Sequence, residues 1–149
     1  MLESACRFYV VTCGLPAVVR PDLGRIVFRA GTVGAITMPA HIGARVRVCI
    51  EERPGWAWPI VSHPRSKRWT FLVGPNLPSD DVALFAEMFR HNVSIAPMGA
   101  EVALPSPLRS DELSCREWVC QPRDGFRPPG TAVVEAIRCC LSPHWPVAG

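Results

Sequence analysis

Residues 59–73 read Pro-Ile-Val-Ser-His-Pro-Arg-Ser-Lys-Arg-Trp-Thr-Phe-Leu-Val. Two β-prone runs, Pro59–Ser62 and Trp69–Val73, flank the polar link His63–Arg68, and that order predicts an antiparallel hairpin with a basic tip. On the second run Trp69, Phe71 and Val73 alternate with Thr70 and Leu72, the period of a strand that turns one face to a core.

Upstream, the chain reads as short strands followed by a helix. Arg7–Thr12 and Ala17–Arg20 are β-branched runs, and Pro21-Asp22-Leu23-Gly24 is a turn signal before a further strand, Arg25–Arg29, so the start is expected to be a meander or hairpin. Val33–Thr37 reads either as one more short strand or as the approach to a helix. Pro39 then opens a helix on which Ile42, Val46, Cys49 and Ile50 fall near helical spacing. That helix stops at Glu51-Glu52-Arg53-Pro54-Gly55, where a ring removes a backbone donor and a glycine frees the chain to reverse.

Downstream, Ser79 is the expected N-cap of a helix with Asp80 and Asp81 at its positive end and Val82, Phe85, Ala86 and Phe89 as its apolar stripe. Asn92 closes that helix, and short strands are expected at Val93–Ala96, Ala100–Leu104 and Glu117–Gln121, with an exposed loop over Pro105–Ser114. Thr131 caps a last helix, whose buried face is Val133, Val134, Ile137 and Leu141. Strands interrupted by single helices without regular alternation predict an α+β fold: one mixed or largely antiparallel sheet with about three helices packed on it. A chain of 149 residues, 48% of them hydrophobic and 19% charged, supports one such domain over residues 1–141, with 142–149 as an irregular tail.

Charge narrows the partners. Sixteen basic against thirteen acidic residues give a net charge of +3, far below the excess that makes nucleic-acid binding the default. No apolar run is long enough to span a bilayer, and Glu3 and Arg7 interrupt the start where an export signal would be apolar, so a cytoplasmic protein with no membrane contact is expected. Its seven cysteines, an odd number, are then expected to be reduced. Cys115 and Cys120 lie too far apart for a zinc turn, Cys139 and Cys140 are adjacent, and no histidine sits at a matching offset. No metal and no cofactor are expected.

Nor does a catalytic constellation emerge. The chain has no Gly-x-Ser-x-Gly elbow, no phosphate loop of the Gly-x-x-x-x-Gly-Lys type and no Gly-x-Gly-x-x-Gly fingerprint. The carboxylate pairs Glu51-Glu52, Asp80-Asp81 and Asp111-Glu112 are accounted for by helix ends and a polar loop. What remains is the hairpin. With His63 beside them, Arg65, Lys67 and Arg68 could meet phosphate while Trp69 or Phe71 stacks on a base, as single-strand binders do; the plainer account is a charged tip that keeps a sheet soluble. Trp56 and Trp58, in an expected loop, are candidate anchors for a protein partner or covers for the ends of the core.

Three stretches carry a resemblance to a known family: Gly34-Ala35-Ile36-Thr37-Met38-Pro39, Arg68-Trp69-Thr70-Phe71-Leu72, and Val93–Pro107 with its Gly99-Ala100-Glu101-Val102-Ala103-Leu104-Pro105. In these the chain is similar to the N-terminal domains of bifunctional DNA primase/polymerases, as found in small proteins of GC-rich Gram-positive bacteria. The resemblance implies paired strand-borne aspartates for divalent metals and a histidine for the incoming nucleotide. Here Ile36, Thr37 and Met38 stand where it puts the acidic pair, and Trp69 where it puts the histidine. Without carboxylates Mg²⁺ loses its preferred ligands and phosphoryl transfer its charge neutralisation. The expectation is therefore a non-catalytic scaffold of primase/polymerase type that binds a macromolecular partner. The alternatives are a single-stranded nucleic-acid-binding protein using the basic-aromatic hairpin, and a small enzyme using His63 or a cysteine.

Overall fold

A computed structural model describes residues 1–51, 58–74, 77, 81–107 and 116–141. The fold is α+β, as the strand and helix pattern implies, but among the described residues the strands divide into two antiparallel sheets and the α-helices number four. In chain order the elements are α1 (Leu2–Arg7), a π-helical turn (Phe8–Thr12), β1 (Val18–Arg20), β2 (Arg25–Arg29), β3 (Gly34–Pro39), α2 (Ala40–Glu51), β4 (Ile60–His63), β5 (Arg68–Val73), α3 (Val82–Phe89), β6 (Ser94–Ile95), β7 (Glu101–Leu104), β8 (Glu117–Cys120) and α4 (Gly130–Leu141).

The smaller sheet runs β1-β2-β7 and the larger β6-β3-β5-β4-β8. The expected hairpin forms between β4 and β5, with Ile60 opposite Phe71 and His63 opposite Arg68. Strand β5 also pairs with β3, setting Thr37 against Thr70 and Met38 against Trp69. Because side chains alternate along a strand, this register sorts the larger sheet into two faces. Ile36, Met38, Ile60, Phe71 and Val73 pack with Ile42 and Val46 of α2, Met88 of α3 and Val133, Val134 and Ile137 of α4. Ala35 and Leu72, on the other face, meet Ile26 and Phe28 of β2, Leu104 of β7 and Tyr9, Cys13 and Leu15 of the N-terminal segment. A fully buried side chain such as Phe71 contributes roughly 1.5–3 kcal/mol by leaving water.

Two local expectations are corrected. Residues 7–12 are helical, not a strand. Tyr9 and Cys13, one helical turn apart, are buried while Val10 and Val11 are exposed, so helical spacing prevails over the β preference of the branched residues. The Tyr9 hydroxyl holds this segment down, donating to the Pro105 carbonyl at 2.7 Å and accepting from Trp118 Nε1 at 3.1 Å. The second correction is α3. Its N-cap is Asp81, whose carboxylate accepts from the Leu84 N–H at 3.1 Å, whereas Ser79 lies outside the described residues. Val82 and Phe89 of the expected stripe are 74% and 75% exposed; the packed side is Leu84, Phe85 and Met88. Residues 142–149 also lie outside the described residues, and no helix among the described residues is long and apolar enough to cross a membrane.

Candidate functional site

The β4–β5 hairpin gathers basic groups at one end of the larger sheet. Its turn is closed by the Lys67 N–H donating to the Pro64 carbonyl at 3.3 Å and is docked onto the start of α2 by the Ala40 N–H donating to the Lys67 carbonyl at 3.0 Å. Lys67 itself sits at φ +56°, in the left-handed region. A side chain there costs about 1 kcal/mol relative to a right-handed conformation, and only glycine avoids the penalty. The tip thus carries an ammonium at a position where glycine fits more cheaply. Arg65 and Lys67 are exposed, and neither forms an ion pair with a described residue.

Arg68 and His63 face each other across the hairpin. From Nη2, Arg68 donates to the Thr37 carbonyl at 3.2 Å and to the Asn92 carbonyl at 2.8 Å, which ties β3, β5 and the turn after α3 together. Asn92 closes α3 with φ +61° and so aims that carbonyl back at the sheet. His63 Nε2 lies 2.7 Å from Thr70 Oγ1, which is in turn 2.8 Å from Thr37 Oγ1. This polar chain runs across β4, β5 and β3 on the face opposite α2. Burial, then the charges of Arg116 and Arg68, lower the His63 pKa from its ordinary 6.5 to about 4. At neutral pH the imidazole is uncharged, and the positive charge of this end of the sheet comes from the arginines and Lys67.

Trp69 does not join the basic groups. It alternates with Arg68, packs on the opposite face of β5 and lies beneath α2. A Cβ at Gly43 would fall 2.7 Å from Trp69 Cε3, so the missing side chain is what lets the helix lie on the indole. The expected pairing of Trp69 with Arg65, Lys67 and Arg68 on one surface is corrected for that reason. Trp58 is corrected likewise: at 3% exposure it belongs to the core, edge-on to Phe71 with ring centroids 6.3 Å apart. Trp56 lies outside the described residues.

Sequence reading missed Thr37 and Thr70, because a threonine on a strand carries no sign of which hydroxyl will meet it across the sheet. It also missed Arg116, which follows a segment outside the described residues. A glycine inside a helical pattern is a signal of close approach, and at Gly43 it could have been read. Thr70 is 3% exposed and its hydroxyl is engaged on both sides, so the pair with His63 holds strands together and offers no open nucleophile. Burial raises the pKa of the Cys6 and Cys13 thiols, which disfavours their thiolates. Among the described residues no group of three or more His, Cys, Asp or Glu side chains could hold a metal ion. No family model, no curated protein and no solved structure matches the chain.

Proposed function

We propose that this protein works by binding, and that its partner is a single-stranded nucleic acid held by its phosphates at the β4–β5 hairpin. The observation that carries the reading is the tip itself: Arg65 and Lys67 project without ion-pair partners among the described residues, Lys67 from a left-handed backbone, beside the half-buried Arg68. Arginine and lysine in such a cluster bind phosphate oxygens and release counterions. With Trp69 packed under α2, the contact is to backbone phosphates and carries little sequence preference. Descent from a primase/polymerase scaffold belongs to this reading and rests on the three resembling stretches alone.

Fluorescence anisotropy with a labelled oligonucleotide over a range of salt tests the proposal. Three phosphate contacts, one each for Arg65, Lys67 and Arg68, give a slope of log K against log salt of about −2, at roughly −0.7 per contact for a single strand. The double substitution Arg65→Ala, Lys67→Ala removes about two thirds of that slope. Binding that is absent at low ionic strength, or indifferent to salt, defeats the proposal.

A further inference from the structure

Among the described cysteines the fold brings one pair of sulfurs together. Adjacency in sequence suggests Cys139 with Cys140, but the structure selects another pair. Cys49, near the end of α2, and Cys140, near the end of α4, lie 91 positions apart with their sulfurs 3.7 Å from each other. Both helices cover the same face of the larger sheet, and both sulfurs belong to that core. Cys139 is the next residue along α4, is turned about 100° round the helix axis, and is exposed.

We infer that Cys49 and Cys140 are an oxidisable dithiol that reacts with a hydroperoxide and closes into a disulfide clamping α2 to α4. The sulfurs must approach by about 1.7 Å to reach the bonded distance of about 2.05 Å, a movement within reach of side-chain rotation on two packed helices. The two thiols differ in a way that assigns their parts. Cys140 is 2% exposed, whereas Cys49 is half-buried. Burial, the hydrogen bond to Cys49 and the neighbouring charge of Cys49 push the Cys140 thiol up to about 12, so it waits in the protonated form. The Cys49 thiolate attacks the outer peroxide oxygen. The O–O bond breaks, an alcohol or water leaves, and Cys49 becomes a sulfenic acid. The Cys140 sulfur then attacks the sulfenic sulfur; the S–O bond breaks, hydroxide leaves, and it takes up the Cys140 proton as water. Two thiols are oxidised by two electrons and one peroxide is reduced.

The full chain is treated with hydrogen peroxide, alkylated under denaturing conditions and mapped by mass spectrometry, with far-UV circular dichroism confirming that each variant is folded. Before alkylation the oxidised chain is lighter by about 2 Da and melts about 10 °C higher because the bridge closes a long loop, and after alkylation it carries two alkyl groups fewer than the untreated chain and a peptide bridged between Cys49 and Cys140. Dithiothreitol reverses these changes. Cys139→Ser leaves the bridge intact, and Cys140→Ser stops at a sulfenic acid on Cys49 that dimedone traps. A bridge between Cys139 and Cys140, or thiols that all remain alkylatable after peroxide while the fold is intact, overturns the inference. So does a Cys140→Ser chain that gives dimedone nothing to trap at Cys49.

Discussion

Acid should loosen this fold through one histidine. His63 has a folded-state pKa of about 4 against an ordinary value of 6.5, so between those limits the unfolded chain binds a proton that the folded chain refuses. Stability therefore rises with pH across the window. The contribution of His63 is complete above 6.5 and is lost as the pH falls toward 4. At about 1.36 kcal/mol for each tenfold change in proton affinity, the full gap corresponds to about 3.4 kcal/mol. The imidazole is half-buried and partly screened by water, which reduces the expected loss to about 2 kcal/mol. Urea unfolding followed by tryptophan fluorescence, repeated from neutral pH down to just above 4, measures the whole effect. The His63→Gln chain, which has no imidazole to protonate, should lose less stability over the same window by about that amount. An NMR titration of the His63 ring supplies the direct reading. A ring that titrates at its ordinary value, or wild-type and His63→Gln profiles that run parallel, would show that burial and the two guanidiniums do not depress this group, and the reasoning would be refuted.

Other consequences can be checked in the same laboratory. Gly43→Ala places a methyl group 2.7 Å from the Trp69 ring and should cost about 1–3 kcal/mol in thermal or urea unfolding, because the indole has to move within a filled layer; an unchanged melting temperature would show that the contact yields freely. Tyr9→Phe removes the hydroxyl between the Pro105 carbonyl and Trp118 Nε1, leaving two polar groups unpaired for about 1–3 kcal/mol of lost stability, measured by the same denaturation. Lys67→Gly relieves the left-handed strain while gaining glycine's unfolded-state freedom, so stability should move by less than about 0.5 kcal/mol. Its oligonucleotide salt slope should shrink by about 0.7. Equal binding by the Lys67→Gly chain would remove the tip from the interface.

The hairpin was legible because its two strands adjoin in sequence and alternate with period two. The same holds for β2, for α2 with Pro39 before it, and for Val133, Val134 and Ile137 on α4. Each depends on backbone preferences and spacing within a few residues. Where the reading failed, a local preference lost to a distant partner. Val10, Val11 and Thr12 favour a strand, yet Tyr9 reaches the Pro105 carbonyl, a residue 96 positions away, and the helical spacing of Tyr9 and Cys13 wins. On α3, Val82 and Phe89 look like core from their type, but only the turn of the helix that faces β6 and α4 finds apolar cover.

The sequence by itself determined the α+β class, most strand and helix positions, and a basic hairpin tip, since turn chemistry and hydrophobic period act over short stretches of chain. Only the tertiary structure decided that there are two sheets, that Trp69 lies under Gly43 and Trp58 on Phe71, and that His63 meets Thr70 and the arginine charges. It alone brought Cys49 to Cys140. Those facts depend on which surfaces pack together, and packing is settled by mutual exclusion of water among residues that the chain order keeps far apart.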